Sequence, residues 1–311
     1  MSNPISKTAD VWPALPLQEW NETYHILHMW TQIVGKIRLA QTPLVNHWWN
    51  VTLYVTARGL TTSPMPYGSS TFEIYFDFVA HELVISKDNG DIRAIDLAGL
   101  SVAGLYEKLM ETIHSMDLDV KIWPVPMEVA NPIRFDQDKA GQFDPGQALR
   151  FWHALVQVNR VFTEFRSAFI GKVSPIHFFW GGCDHAVTRF SGRVAPRHPG
   201  IPGVPDFITS EGYSHEVSSC GFWPGGGAID GAAFYSYAYA EPQGYKEYRV
   251  SPPEAYYSKE LGEFLLPYDA VRNADSPDQK LLQFLQSTYE AAATCGRWDR
   301  IALERKIPLA A

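Results

Sequence analysis

Twice along the chain the hydrophobic pattern switches from a helical spacing to strict alternation, so each stretch must fold as a helix that covers a sheet. Residues 22–39, ETYHILHMWTQIVGKIRL, carry apolar positions three and four apart. HWWNVTLYVTARG (47–59) is then rich in aromatic and β-branched residues and predicts a strand. In TFEIYFDFV (71–79), Phe72, Ile74, Phe76 and Phe78 fall on one side. HELVISKDNGDIRAIDL predicts a hairpin turning at Asn89-Gly90, and a helix is expected over 101–116 with Ser101 as its N-cap. In VKIWPVPMEV, Pro124 and Pro126 cannot donate to a ladder, which predicts an edge strand.

The order restarts at Asp144-Pro145, an N-cap followed by proline at the first helical position. This second helix is expected to reach about Ile170 and stop at Gly171, with HFFWGGCDHAVTRFSG as the next strand. A proline-rich loop over 194–210, SHEVSSCGFWPGGG, the strand AAFYSYAYAEP and a last helix after Ser276 complete the half. His28-x-x-x-Gln32 matches His153-x-x-x-Gln157, and His47-Trp48-Trp49 matches His177-Phe178-Phe179, with Gly181-Gly182 as a two-residue bulge in the second copy. The expected fold is therefore α+β, with two similar halves of helix plus antiparallel sheet, related by a pseudo-two-fold through internal duplication. Residues 1–19 would be an N-terminal extension, 20–140 the first repeat and 141–311 the second, packed as one module.

Composition narrows the function classes. The net charge of −8 and the scattered Lys and Arg argue against nucleic acid as a partner. No apolar run approaches the roughly 18 residues that suggest a membrane span, and the start lacks the apolar stretch of a secretory signal. Three cysteines without CxxC spacing do not make a disulfide framework. The expectation is a cytoplasmic, soluble monomer or homodimer that meets a small molecule. Ten Trp and fifteen Tyr suit the walls of a pocket as well as a core.

The polar candidates concentrate in the second half. Aligned through the glycine offset, His185 falls where the first half has Leu53 on its apolar face, and a buried imidazole demands a partner. His177, His185, His215 and Glu216, with Asp184 beside them, could gather into one acid–base or metal site, with iron or zinc as the expected ion. Adjacent strand residues such as Asp184 and His185 point to opposite faces unless the glycines relax the strand. Arg189 could orient an anionic group, and Arg193 is a second such candidate. The helix stripes His25, His28, Gln32, Lys36 and His153, Gln157, Arg160, Glu164 could line the opposite wall or face solvent. Tyr235, Tyr237 and Tyr239 share a strand side and read equally as a packed ladder or an aromatic wall. Cys220 with His215 lacks any hydrolase motif around it, and Gly225-Gly226-Gly227 lacks a phosphate-loop frame.

The segments VGKIRLAQTPLVNHWWNVTLYVTARGLTTSPMPYG, SPIHFFWGGCDHAVTRFSGR, SHEVSSCGFWPGGG and GEFLLPYDAVR resemble a bacterial family of unknown function over nearly the whole chain. The resemblance implies one full-length module and carries no activity, cofactor or catalytic residue. From the residues, the preferred expectation is an enzyme acting on a small organic molecule in an aromatic-lined, histidine-rich pocket between the halves, through metal-assisted oxidation or hydrolysis. The alternatives are a non-catalytic ligand-binding module and a protein-interaction module whose histidines are structural.

Overall fold

The computed structural model describes residues 11–201, 204–226 and 229–306. Residues 1–10 of the expected extension, Gly227 of the glycine run, parts of the proline-rich loop and the last five residues lie outside the described residues. The first helix, α1 (Leu17–Gln41), starts before the expected extension ends and is buried around most of its circumference. The residues before it are anchored rather than free: Trp12 bonds Asp278 through its indole nitrogen at 3.3 Å, and its ring packs on Phe234 and Tyr268.

Six short strands follow, β1 (Tyr54–Val55), β2 (Gly59–Thr61), β3 (Met65–Tyr67), β4 (Ser70–Asp77), β5 (Glu82–Lys87) and β6 (Ile92–Asp96). They pair antiparallel in the order β1-β2-β4-β5-β6, with β3 beside β4. The alternation in β4 buries Phe72, Ile74 and Phe76, and Gly90 supplies the positive φ of the β5–β6 turn. Helix α2 (Val102–Ser115) begins where expected: Ser101 Oγ accepts from the Gly104 amide at 3.0 Å. Residues 120–129 form no strand in the structure; their prolines interrupt any ladder.

The second unit opens with α3 (Pro145–Ser167), whose Asp144 cap accepts from the amides of Gly146 and Gln147. Its strands are β7 (His177–Phe179), β8 (Asp184–Val194), β9 (His215–Trp223), β10 (Ala233–Tyr239), β11 (Tyr256–Ser258) and β12 (Glu263–Pro267). They form one antiparallel sheet, ordered β11-β12-β10-β9-β8-β7. Helix α4 (Asp206–Gly212) lies between β8 and β9, and α5 (Tyr268–Arg272), α6 (Pro277–Cys295) and α7 (Arg300–Leu303) close the chain. Each half is thus mixed helix and antiparallel sheet, and one apolar cluster runs through both. None of the helices among the described residues is long and apolar enough to cross a membrane.

Two further expectations fail for local reasons. His47 and Trp48 adopt left-handed φ of 58° and 61° within a short 3-10 turn, Asn46–Trp48, so residues 47–53 do not extend as a strand. HFFWGGCDHAVTRFSG is not one bulged strand but a hairpin, with Trp180–Cys183 as the turn and Cys183 at φ 58°. Those facts remove the strand-for-strand match between His47 and His177. The two segments instead touch: Leu53 and Phe178 exchange backbone hydrogen bonds of 3.0 and 2.9 Å, joining the two sheets.

Candidate functional site

Pairing across β7–β12 sorts the polar candidates onto two faces, because directly paired residues share a face and neighbours along a strand alternate. On one face stand Phe179, Asp184, Ala186, Thr188, Ser219, Tyr235 and Tyr237. On the other stand His185, Val187, Arg189, Cys220, Phe222 and Phe234.

The second face is closed by α3 and α6. His185 is fully buried, its Nε2 3.2 Å from Asn159 Oδ1 and its ring stacked on Phe162. Burial holds its pKa down at about 3, so it is neutral. Arg189 donates to the Phe165 carbonyl, and its guanidinium lies 3.5 Å from the Phe165 ring centre and 4.4 Å from that of Tyr289. Cys220 is buried, with its thiol pushed up to about 12 by burial. His185 and Arg189 thus meet groups of α3 and α6, Cys220 lies 3.7 Å from the Val187 carbonyl, and none of the three lines the cavity of the first face.

The first face opens onto a cavity of about 310 Å³. Its roof is the 3-10 turn at 46–48, α4 and the loop at Met127–Glu128; Trp49, Trp180 and Tyr213 complete an aromatic lining. His47 fastens this roof. Its Nδ1 donates to the carbonyls of Glu211 and Gly212, both at 3.1 Å, and its Nε2 accepts from Lys172 Nζ at 2.6 Å. Burial and the lysine charge lower its pKa, which keeps the imidazole neutral as that pattern requires.

Two carboxyl groups converge at one corner. Asp184 starts β8, and its carboxylate accepts from the Tyr235 hydroxyl. Tyr235 reaches it by lying across Gly221, where any Cβ would overlap the phenol ring. Glu128 comes from the roof loop at a left-handed φ of 56°, costly for a non-glycine residue by roughly 1 kcal/mol. Gln32 secures that loop, its side-chain amide donating to the Met127 carbonyl and its carbonyl accepting from the Met127 amide, both at 2.8 Å. His28 Nε2 donates to the Trp180 and Gly181 carbonyls at 3.1 and 2.8 Å and so fastens the hairpin turn opposite. The turn glycines let the acids approach: a Cβ on Gly182 would lie 3.1 Å from Asp184 Oδ1 and 3.7 Å from Glu128 Oε2, and one on Gly181 would overlap Glu128 Oε1. Burial, and secondarily the Glu128 charge, raise Asp184 to about 7 despite the Tyr235 bond. Burial raises Glu128 too, and Glu263 is pushed to about 7 by burial with Asp184 as the second cause.

The expected quartet is therefore dispersed. His177 borders the cavity face but is buried behind Phe179 and Trp49, with Nδ1 on Thr52 Oγ1 at 2.8 Å and a pKa held near 3 by burial. His185 and Arg189 face the helices, so neither can touch a molecule in the cavity. His215 sits edge-on to His47 at 5.9 Å and bonds Ser214 at 3.1 Å. Glu216 is tied to Arg193 at 2.6 Å at the sheet margin. Among the described residues no group of three His, Cys, Asp or Glu side chains is placed to hold one metal ion. On α1, His28 and Gln32 position the cavity walls through backbone contacts. Their expected counterparts do not: His153 packs on the neighbouring Trp152 ring, and Gln157 accepts from Arg160, which pairs with Asp278 at 2.6 Å. Tyr237 does line the cavity, its hydroxyl 3.1 Å from that of Tyr213. Glu128 carried no sequence pattern that could single it out, whereas Asp184 and Tyr235 stood in stretches already suspected.

A family model described as "Family of unknown function (DUF5996)" matches residues 12–305. No curated protein and no solved structure matches the chain.

Proposed function

The chain belongs to that family, whose description assigns no activity, and we propose that it acts on a small organic molecule held in the aromatic cavity, with Asp184 and Glu128 exchanging protons with it. One observation carries the reading: two carboxyls from separate parts of the chain meet at the Gly181–Gly182 turn inside an apolar, aromatic hollow. A carboxyl whose pKa lies near neutrality both gives and takes a proton at physiological pH, and Asp184 has that property. The cavity is at the small end of ligand pockets, which span roughly 300–1,000 Å³, so a molecule of one or two rings suits it. His28, Gln32 and His47 support the walls and take no part in the chemistry. We also read the shared order of long helix and six-stranded sheet in each half as a trace of internal duplication.

Thermal-shift screening of a small-fragment library tests the reading. Hits should be lost in Ala186→Trp, which fills the cavity from the sheet side. Proton exchange is then measured as deuterium uptake by a bound hit in heavy water, expected for the wild type and abolished in Asp184→Asn. Hits that survive Ala186→Trp would refute the cavity as the ligand site. Binding without any Asp184-dependent exchange would leave the non-catalytic binding module, which the aromatic walls favour as the second reading.

A further inference from the structure

Among the described residues the cavity presents two carboxyl groups, those of Glu128 and Asp184, and no basic side chain of lysine or arginine. Nearby, Lys172 bonds His47 at 2.6 Å, Arg38 lies over the Tyr54 ring at 5.6 Å and Lys36 stands 6.0 Å from the Trp180 ring centre, and none of the three lines the cavity. Asp184 receives one side-chain hydrogen bond, from Tyr235, although an ionised carboxylate has acceptor sites for several donors. Trp48, another wall residue, has a buried indole N–H with no acceptor among the described residues. A carboxylate removed from water is costly unless a cation or donors meet it, and a buried donor is costly without an acceptor.

Resting on the reading of this cavity as the ligand site, we propose that its ligand is a protonated amine on a flat unsaturated ring that also bears a hydrogen-bond acceptor. The ammonium sits between Asp184 and Glu128, and aromatic faces add cation–π attraction. An acidic ligand meets like charge at the same corner, and a neutral one leaves the carboxyls without a counter-ion. The ring acceptor answers the Trp48 N–H. A ligand with these features supplies each group the walls lack.

Tyramine, 4-ethylphenol and 3-(4-hydroxyphenyl)propionate share one ring and one phenol oxygen but differ in charge, and calorimetry at about pH 8 separates them, since there Asp184, with a pKa of about 7, is mostly ionised and the amine protonated. Tyramine should bind at least roughly tenfold more tightly than either counterpart. Asp184→Asn, and independently Glu128→Gln, should bring tyramine down to the 4-ethylphenol level. Equal or tighter binding of the neutral or acidic compound overturns the amine and leaves the cavity reading intact. Failure of all three to bind overturns both. Tyramine binding that is unchanged in both variants, each folded and no less stable than the wild type, overturns the placement of the ammonium.

Discussion

Asp184 and His185 are consecutive residues of β8, and the two faces of the sheet give them opposite fates. On the helix side the polar groups are packed into the core: His185 Nε2 meets Asn159 and its ring stacks on Phe162, and Arg189 donates to the Phe165 carbonyl between two aromatic rings, although His185 Nδ1 and Arg189 Nε have no hydrogen-bond partner among the described residues. On the cavity side, Asp184 faces a second carboxyl and an open volume. The closed face uses polar residues for packing. The open face leaves ionisable groups incompletely met, which is the condition for binding. Residue type alone does not separate these cases; what the face packs against does.

The sharpest way to break this contrast is to truncate the closed face. Arg189→Ala removes a side chain packed between rings and should destabilise the fold by about 3 kcal/mol in urea unfolding, with any cavity ligand still bound by the folded fraction. Retained stability together with lost binding would show that Arg189 serves the site after all.

Acid should then act on the two faces with opposite sign. His185 has a folded pKa near 3, below the ordinary value of 6.5, so its contribution is complete above 6.5 and is lost as pH falls toward 3. Between about pH 6.5 and 5, His185→Phe should spare roughly 2 kcal/mol of the wild type's loss, read from denaturant midpoints across pH. Asp184 is raised from 3.8 to about 7, so its contribution is complete below 3.8 and is lost as pH climbs through 7. Asp184→Asn should therefore be more stable than wild type at about pH 8 by a few kcal/mol, with the advantage vanishing toward about pH 4. A variant that is less stable at every pH would mean that Asp184 is held by partners rather than left for a ligand.

The smallest effect belongs to the sheet margin. Glu216→Gln breaks an exposed pair with Arg193 and should cost under about 0.5 kcal/mol, with ligand binding untouched in calorimetry. A larger change in binding would return Glu216 to the site.

Elements governed by neighbours in sequence were legible. Asp144-Pro145 starts α3, Ser101 caps α2, Asn89-Gly90 turns a hairpin and the alternation in β4 buries its aromatic side, because caps, turns and periodicity act over a few residues. Two readings failed where a local pattern had two outcomes. The glycines after Trp180 suit a bulge or a turn equally, and the left-handed backbone at His47 and Trp48 left no mark in a stretch of strand-forming residues.

From its residues the chain already dictated helix starts, the mixed α+β character, the wealth of aromatic wall material and a polar knot around Asp184 and His185. Folding alone settled which member of that knot meets a cavity, since alternation assigns two faces but cannot say which face a helix will cover. It likewise brought Glu128 to Asp184 across more than fifty residues, through a loop fixed by Gln32 on another helix. That meeting depends on contacts remote along the chain, and such contacts leave no local pattern to read.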